Sequence, residues 1–361
     1  MPQSRPVKAT IAPASLTEIA ETVDRRLRDF LDAERRRWIA LDLSLGPPLD
    51  ALAALVLGGG KRLRPGFCHW GFVIGGGKGD DRRVIDAGAA FEMLQAFALI
   101  HDDVVDDSST RRGRTSMHVL FAAEHRAGGY RGEGRRFGEG AAILIGDLAH
   151  VYADSLLAGA PEAALRIWDE LRVELNMGQY LDVVGTAKAD ADPARAWRIA
   201  RYKSAKYTIE RPLHLGVALA GGQAAFDDWG DHLSAYGLPL GEAFQMRDDV
   251  LGVFGDEAIT GKPVGDDLRE GKPTPLLAAA RERSDPSARP LLDRVGADGL
   301  SADDIAELQQ VFEESGARAE IEATIGRLRS EALDAIDRAP YEPAVIEALT
   351  DLAWFVTVRD A

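Results

Sequence analysis

The stretch Leu94-Gln95-Ala96-Phe97-Ala98-Leu99-Ile100-His101-Asp102-Asp103-Val104-Val105-Asp106-Asp107 closes a helical apolar run that starts at Val84. At about 100° per residue, Asp102 and Asp106 stack one turn apart on one face, with Asp103 beside them. An acidic run continuous with an apolar helix is costly unless something positive neutralises it. Carboxylates one turn apart suit Mg²⁺, which takes one or two of them, keeps waters and shares the rest with substrate phosphates. Taken alone, such a charge run reads as a solvated helix end.

Helical patterning extends outward from this stretch in both directions. From Leu16 to Leu41 the apolar residues Leu16, Ile19, Val23, Leu27, Phe30 and Leu31 recur at spacings of three and four, and charges fill the other face. Similar patterns run through Gly140–Leu157, Ala163–Val184, Pro193–Ala220, Phe226–Gly252, Ser301–Ile336 and Ala344–Val358. Alternating stretches of Val, Ile and Thr are missing, so a sheet is not expected. Gly75–Asp81, the arginine-bearing His125–Gly138 and the proline-bearing Arg283–Gly299 read as loops, the last ending near an N-cap at Ser301. Helical composition resumes unchanged after each of them. The expected organisation is a flexible segment 1–15 followed by one all-α domain over 16–361.

The chain has 361 residues, 46% of them apolar and 28% charged, which is ordinary globular composition. Its 58 acidic residues against 43 basic ones leave a net charge of −15, which argues against wrapping nucleic acid or adsorbing to anionic lipid. A local basic pocket remains compatible with that balance. One cysteine, Cys68, excludes an intramolecular disulfide and a four-cysteine zinc site. The first 15 residues have no apolar signal core, and no charge-free apolar run reaches membrane-spanning length. A cytoplasmic protein without an integral membrane segment is the expectation.

A second acidic cluster, Ala243-Phe244-Gln245-Met246-Arg247-Asp248-Asp249-Val250-Leu251, again sets paired aspartates inside an apolar helical run. If the two helices face each other across a bundle, their carboxylates can hold several metal ions around one polyanion, as metal-ligating bundles do. Lysine is scarce, eight residues against 35 arginines, so each lysine is a candidate point-charge contact for phosphate. Lys61 sits in Gly58-Gly59-Gly60-Lys61-Arg62-Leu63-Arg64-Pro65, Lys203 and Lys206 in Tyr202-Lys203-Ser204-Ala205-Lys206-Tyr207, and Lys262 and Lys272 bracket Gly261–Lys272. Glycines ahead of Lys-Arg-x-Arg can bring amides and cations onto phosphate oxygens. The stretch is not a nucleotide-binding P-loop, because the upstream glycine would have to be Leu55 and no Ser or Thr follows Lys61.

Taken in order, these motifs resemble the polyprenyl synthetase family, in particular the trans-isoprenyl diphosphate synthases and, within them, bacterial geranylgeranyl diphosphate synthases. The resemblance runs from about Leu55 to the C-terminal Val356-Thr357-Val358-Arg359. It rests on Gly59–Pro65, Asp102–Asp106, Arg111-Arg112-Gly113, Gly146-Asp147, Lys203-Ser204, Phe244–Asp249 and Gly261-Lys262 to Gly271-Lys272. It implies an isoprenoid-synthase-type helical bundle around a central cavity, usually homodimeric, that condenses isopentenyl diphosphate with an allylic diphosphate and needs no nucleic acid.

By the same resemblance, Lys61, Arg64, Arg112 and Gln95 grip the diphosphate of isopentenyl diphosphate, Gln95 standing where many relatives have His. Asp102, Asp103 and Asp106 hold two Mg²⁺ ions and Asp248 a third, with Asp249 supporting. Arg111, Lys203, Ser204, Gln245, Lys262 and Lys272 bind the allylic diphosphate. Two departures stand out: Gly252 occupies the place of a third Asp in the second acidic motif, and Ser204 that of a more usual Thr. Leaving-group charge on diphosphate is what metal ions and fixed cations stabilise best where water is excluded.

An isoprene unit is roughly as long as one helical turn, about 5.4 Å, so a growing tail descends the first acidic helix a turn per addition. Small Ala98 lies one turn below Asp102, and bulky Phe97 with Leu94 is expected to close the pocket after a C20 product. Farnesyl and longer-chain synthases are the neighbouring alternatives. A terpene cyclase would replace the second Asp pair by a different metal triad, and a His-Asp phosphohydrolase built on His101-Asp102 and His69 leaves the basic motifs unexplained. A non-catalytic subunit of a heteromeric synthase, the alternative of another class, would tend to lose the carboxylates that both clusters here retain.

Overall fold

Helix starts in this chain are fixed by side chains that take over the first free backbone N–H groups. Asp81 accepts from the Arg83 amide at 2.8 Å and Thr274 from the Leu277 amide at 3.1 Å. Ser301 and Asp304 close a reciprocal capping box, at the start the sequence predicts. The computed structural model describes residues 11–188, 192–255, 264–297 and 299–358. Most of the segment 1–15 lies outside them, and the first helix begins at Ala14. Among the described residues, strand is confined to one hairpin, Thr110–Arg111 (β1) against Arg114–Thr115 (β2), so the chain is all-α as expected.

The chain divides into two compact units. The first comprises Glu18–Leu165 and Leu215–Phe226. It holds most of α1 (Ala14–Ile39), then α2 (Gly46–Val56), α3 (Leu63–Ile74), α4 (Arg82–Val105), the hairpin, α5 (Met117–Ala127) and α6 (Gly134–Leu156). Its core helix is α4, packed against α3 and α6, with Phe91, Met93, Leu94 and Ile100 buried. By length and composition α4 could also cross a membrane, yet most of that apolar window is buried by protein. A helix apolar all round is a core helix where neighbours cover it. The loop expected over His125–Gly138 shrinks to residues 128–133, because Glu133 caps the Arg135 and Arg136 amides at 2.8 Å each and starts α6 early.

The second unit comprises Arg166–His214 and Asp227–Ala361, together with the chain start up to Thr17. Its helices are the greater part of α7 (Glu162–Ala187), α8 (Pro193–Ile199), a π-helix over Ala200–Glu210, most of α9 (Arg211–Phe254), α10 (Asp266–Glu270), α11 (Pro275–Arg283), α12 (Arg289–Leu292), α13 (Ala302–Glu314), α14 (Ala317–Arg338) and α15 (Pro343–Thr357). The run predicted as one helix from Ser301 to Ile336 breaks at Gly316, whose φ of 75° no helix accommodates. Met246, Val250 and Val253 on α9 pack with Leu268, Leu276, Phe312 and Ile325 into one apolar cluster. That face fixes the orientation of α9 and leaves Asp248, two residues from Met246, turned away from it.

The π-helix is wider than an α-helix, and its neighbours make room for it. A Cβ at Gly178 on α7 would lie 2.7 Å from the Lys203 nitrogen. One at Gly241 on α9 would lie 2.6 Å from the Ala205 Cα, and one at Gly237 2.9 Å from the Glu210 Cα. Glycine at all three positions lets the backbones touch. Long π-helical runs are rare and concentrate at functional sites, and this one carries Lys203, Ser204 and Lys206.

Candidate active site

In the first unit, the Asp106 amide donates to the Asp102 carbonyl at 2.8 Å. The helical turn therefore continues through the motif and stacks the Asp102 and Asp106 side chains. Asp103 falls on the buried side, 3% exposed, and accepts from the Arg111 Nε at 2.7 Å. Arg111 reaches it from the hairpin. Arg112 and Gly113 form the two-residue loop, with φ of 54° and 69°, the positive pair whose twist matches a tight hairpin. The Arg112 Nη1 donates to the Gly59 carbonyl at 2.5 Å and the Arg114 Nη1 to the Ala54 carbonyl at 3.0 Å. The hairpin is thus pinned to the acidic end of α4 on one side and to the glycine stretch after α2 on the other.

Arg62, in the middle of the Lys-Arg-x-Arg run, points inward. It pairs with buried Glu92, donates from Nε to Asp24 at 2.8 Å and from Nη2 to the Val56 carbonyl at 2.7 Å. Anchoring this one cation in the core leaves Lys61 exposed and Arg64 half-buried on either side. Arg62 and Glu92 brace the candidate site and were not singled out from the sequence, although an isolated Glu within the apolar α4 run is the signal that could have found them. The Arg112 pKa is lowered, first by desolvation and then by the guanidinium groups of Arg62, Arg64 and Arg111, with Glu92 opposing. Like charges held this close gain most from a polyanion set among them. Gln95 Oε1 is buried with no hydrogen-bond partner among the described residues.

Lower on α4, the Phe97 ring sits 4.7 Å from that of His101 and 4.8 Å from that of His150 on α6. The His101 Nε2 lies 3.1 Å from the Ile143 carbonyl. A Cβ at Gly146 would fall on the His101 ring, which explains that glycine and makes His101 a structural support. Leu94 is fully buried and Ala98 half-buried.

In the second unit, the Gln245 Nε2 donates to the Asp249 Oδ1 at 2.7 Å, one turn along α9. Asp249 is 4% exposed, and its Oδ2 has no hydrogen-bond partner among the described residues. Burial, then the charges of Asp267 and Asp248, raise its pKa well above the usual carboxylate range, against the Gln245 hydrogen bond and Lys272. Asp248 is half-buried. The Lys203 Nζ lies 2.6 Å from the Asp182 Oδ2, with half-buried Ser204 next in the chain. Lys206 pairs with Glu174, which Arg211 grips through Nε and Nη2 at 2.7 Å each. Lys272 pairs with Glu270 and lies 3.7 Å from Asp267. Lys262 lies outside the described residues.

Among the described residues, no group of three or more His, Cys, Asp or Glu side chains is poised to hold an ion unaided. Mg²⁺ does not require such a cage, since it keeps waters and completes its shell with substrate phosphate oxygens. An all-oxygen donor set and the orphaned Asp249 Oδ2 fit that ion.

A polyprenyl synthetase family model matches residues 48–314. The crystal structure of a geranylgeranyl pyrophosphate synthase from Corynebacterium glutamicum, complexed with isoprenyl diphosphate and magnesium, superposes with a TM-score of 0.89 at 39% identity, over 96% of this chain and 99% of that one. A geranylfarnesyl diphosphate synthase from Aeropyrum pernix is 31% identical over 91% of this chain and 96% of its own. A (2E,6E)-farnesyl diphosphate synthase from Mycobacterium bovis is 29% identical over 93% of this chain and 89% of its own. The chain belongs to the polyprenyl synthetase family. It is an enzyme of the trans-prenyltransferase class, an isoprenyl diphosphate synthase.

Proposed function

We propose that the enzyme condenses isopentenyl diphosphate with allylic diphosphates up to the C20 product, geranylgeranyl diphosphate. Lys61, Arg64, Arg112 and Gln95 hold isopentenyl diphosphate; Arg111, Lys203, Ser204, Gln245, Lys262 and Lys272 hold the allylic diphosphate. Asp102, Asp103 and Asp106, with Asp248 and Asp249, are the carboxylates for three Mg²⁺ ions. Bound Mg²⁺ supplies the positive charge that lets diphosphate leave. Lys203 and Lys272 are held by carboxylates near them, Asp182 and Glu270, and exchange those partners for phosphate oxygens. The allylic C1–O bond breaks with its electron pair going to diphosphate. The double bond of isopentenyl diphosphate then attacks C1, and loss of a proton to the departing diphosphate restores an alkene. No side chain of the site is required as a base.

The observation that carries the product length is Phe97, braced between His101 and His150 about 1.4 helical turns below Asp102. A ring held from two sides is a firm floor for the tail. Farnesyl and geranylfarnesyl names among the relatives keep the neighbouring lengths as rival outcomes. A second copy of the chain completes the reading: Leu144 and Val151, seven residues apart on α6, are 70% and 60% exposed, and that apolar strip supports a homodimer. Light scattering at twice the chain mass accords with it, and a monomer removes it.

The test is incubation with Mg²⁺, isopentenyl diphosphate and each allylic primer, followed by chromatography of the products. Geranylgeranyl diphosphate is the expected end point for the wild type, and Phe97→Ala is expected to lengthen it by at least one isoprene unit. Unchanged length in Phe97→Ala overturns the floor, and a different wild-type end point overturns the C20 reading.

A further inference from the structure

The sequence offers Lys206 as a phosphate contact beside Lys203, but the structure engages it elsewhere. Its Nζ is paired with Glu174 on α7 and stands over the Tyr202 ring, 5.2 Å from the centroid. Tyr202 and Lys206 flank Lys203, Ser204 and Ala205 within the π-helix. Lys206 therefore ties the two sides of the turn that carries Lys203 and Ser204. With the Lys206 side chain only 17% exposed, both contacts are partly withdrawn from water, where a cation gains most from a ring face and a carboxylate.

A long π-helix needs such a tie. It is a rare conformation, and sparsely populated backbone persists where its surroundings over-determine it. α7 provides a matching face. Glu174, Gly178 and Asp182 follow one another at four-residue intervals, on one side of that helix. Glu174 meets Lys206. A Cβ at Gly178 would lie 2.7 Å from the Lys203 nitrogen, and the Lys203 Nζ donates to the Asp182 Oδ2 at 2.6 Å. Glu174 is a firm anchor, buried and gripped by the Arg211 Nε and Nη2 at 2.7 Å each. Burial alone would raise its pKa, but the hydrogen bonds and charges of Arg211 and Lys206 lower it below the usual value. The carboxylate thus stays ionised where Lys206 needs it.

We propose that Lys206 is a positioning residue for the allylic diphosphate, a staple from Tyr202 to Glu174 that holds the π turn and so presents Lys203 and Ser204. The proposal rests on the reading given above, in which those two residues hold the allylic diphosphate, and adds to it a lysine that does not touch the substrate. Rewinding the turn into an α-helix would rotate the chain by about 100° for each residue displaced, enough to carry Lys203 off Asp182.

The experiment is steady-state kinetics of the full chain with geranyl diphosphate and isopentenyl diphosphate, with amide hydrogen exchange over residues 200–210 in parallel. Lys206→Met keeps the side-chain stem and leaves Glu174 paired with Arg211. It is expected to raise the KM for geranyl diphosphate about tenfold, the cost of one lost contact to a charged group, with the KM for isopentenyl diphosphate within about twofold of wild type. Exchange over 200–210 is expected to quicken. Tyr202→Phe keeps the ring face and is expected to match wild type, whereas Tyr202→Leu removes it and is expected to raise the geranyl diphosphate KM about threefold. An unchanged KM in Lys206→Met overturns the proposal, as does an equal rise in both KM values, which a loosened fold alone would give. Should Lys206→Met fail to fold, equal KM values in Tyr202→Leu and Tyr202→Phe overturn it instead. Lys203→Ala separates the two failures. If it leaves the geranyl diphosphate KM unchanged, the allylic reading of Lys203 falls and the staple with it; if it raises that KM while Lys206→Met does not, only the staple falls.

Discussion

The two aspartate motifs meet opposite electrostatic surroundings. In the first unit, buried Asp103 is clamped by a guanidinium that the chain itself provides, with the Arg111 Nε 2.7 Å away. In the second, equally buried Asp249 is held by an amide, the Gln245 Nε2 at 2.7 Å, and its other oxygen has no hydrogen-bond partner among the described residues. The first carboxylate is neutralised by folding. The second keeps its proton more tightly than usual because folding strips away water and adds Asp267 and Asp248 nearby. Under the proposed function, one motif is assembled by the chain itself, while the other is completed by what binds. A buried charge that lacks a partner is a cost to the folded state, and an enzyme can carry that cost where a cation will later arrive.

The largest expected effect that tests this contrast is on Arg111. Arg111→Ala leaves Asp103 buried without its cation, and removing one partner of such a pair costs about 3–5 kcal/mol. Chemical denaturation should register that loss whether or not substrates are present. A variant as stable as wild type would show that Asp103 does not depend on the hairpin, and the contrast would fail.

A smaller effect of opposite sign is expected in the second unit. Asp249 has a folded-state pKa raised above that of the unfolded chain. Its contribution to stability is thus complete below the ordinary carboxylate range, near pH 4, and is lost as pH rises through the raised value. Asp249→Asn should remove that slope and raise the metal-free stability at pH 8 by about 1 kcal/mol, while weakening Mn²⁺ binding. Thermal melting across pH 4 to 8 checks both signs. A variant that is less stable than wild type at pH 8 would mean that Asp249 is already compensated by something other than Gln245 and Lys272.

Much of the candidate site was legible in the chain because it is written at helical spacing. Asp102, Asp103 and Asp106, and Gln245, Asp248 and Asp249, declare themselves at spacings of one, three and four. What escaped reading depends on contacts between distant positions. Arg62 looks like one more phosphate cation until Glu92 and Asp24, 30 and 38 residues away, draw it into the core. Lys206 reads as a phosphate contact like Lys203 until Glu174, 32 residues away, draws it aside. The hairpin is too short for alternation to reveal, although the Arg112-Gly113 pair is the kind of dipeptide such turns use. The π-helix has no local signature at all. Its only trace is three glycines at positions 178, 237 and 241, scattered over two helices. The boundary missed at Glu133 had a plain signal, an acidic cap amid glycines and arginines, that the loop-like composition concealed.

Both motifs must serve one reaction if the account is right, however differently they are built. The direct measurement is single-turnover condensation of labelled isopentenyl diphosphate with saturating allylic diphosphate and Mg²⁺, in Asp102→Asn and in Asp248→Asn. Each substitution, in its own unit, is expected to slow product formation by about 10²–10³-fold, the loss typical when one stabiliser of developing charge is removed. Turnover within about tenfold of wild type in either variant would contradict the proposal that the condensation needs the carboxylates of both motifs.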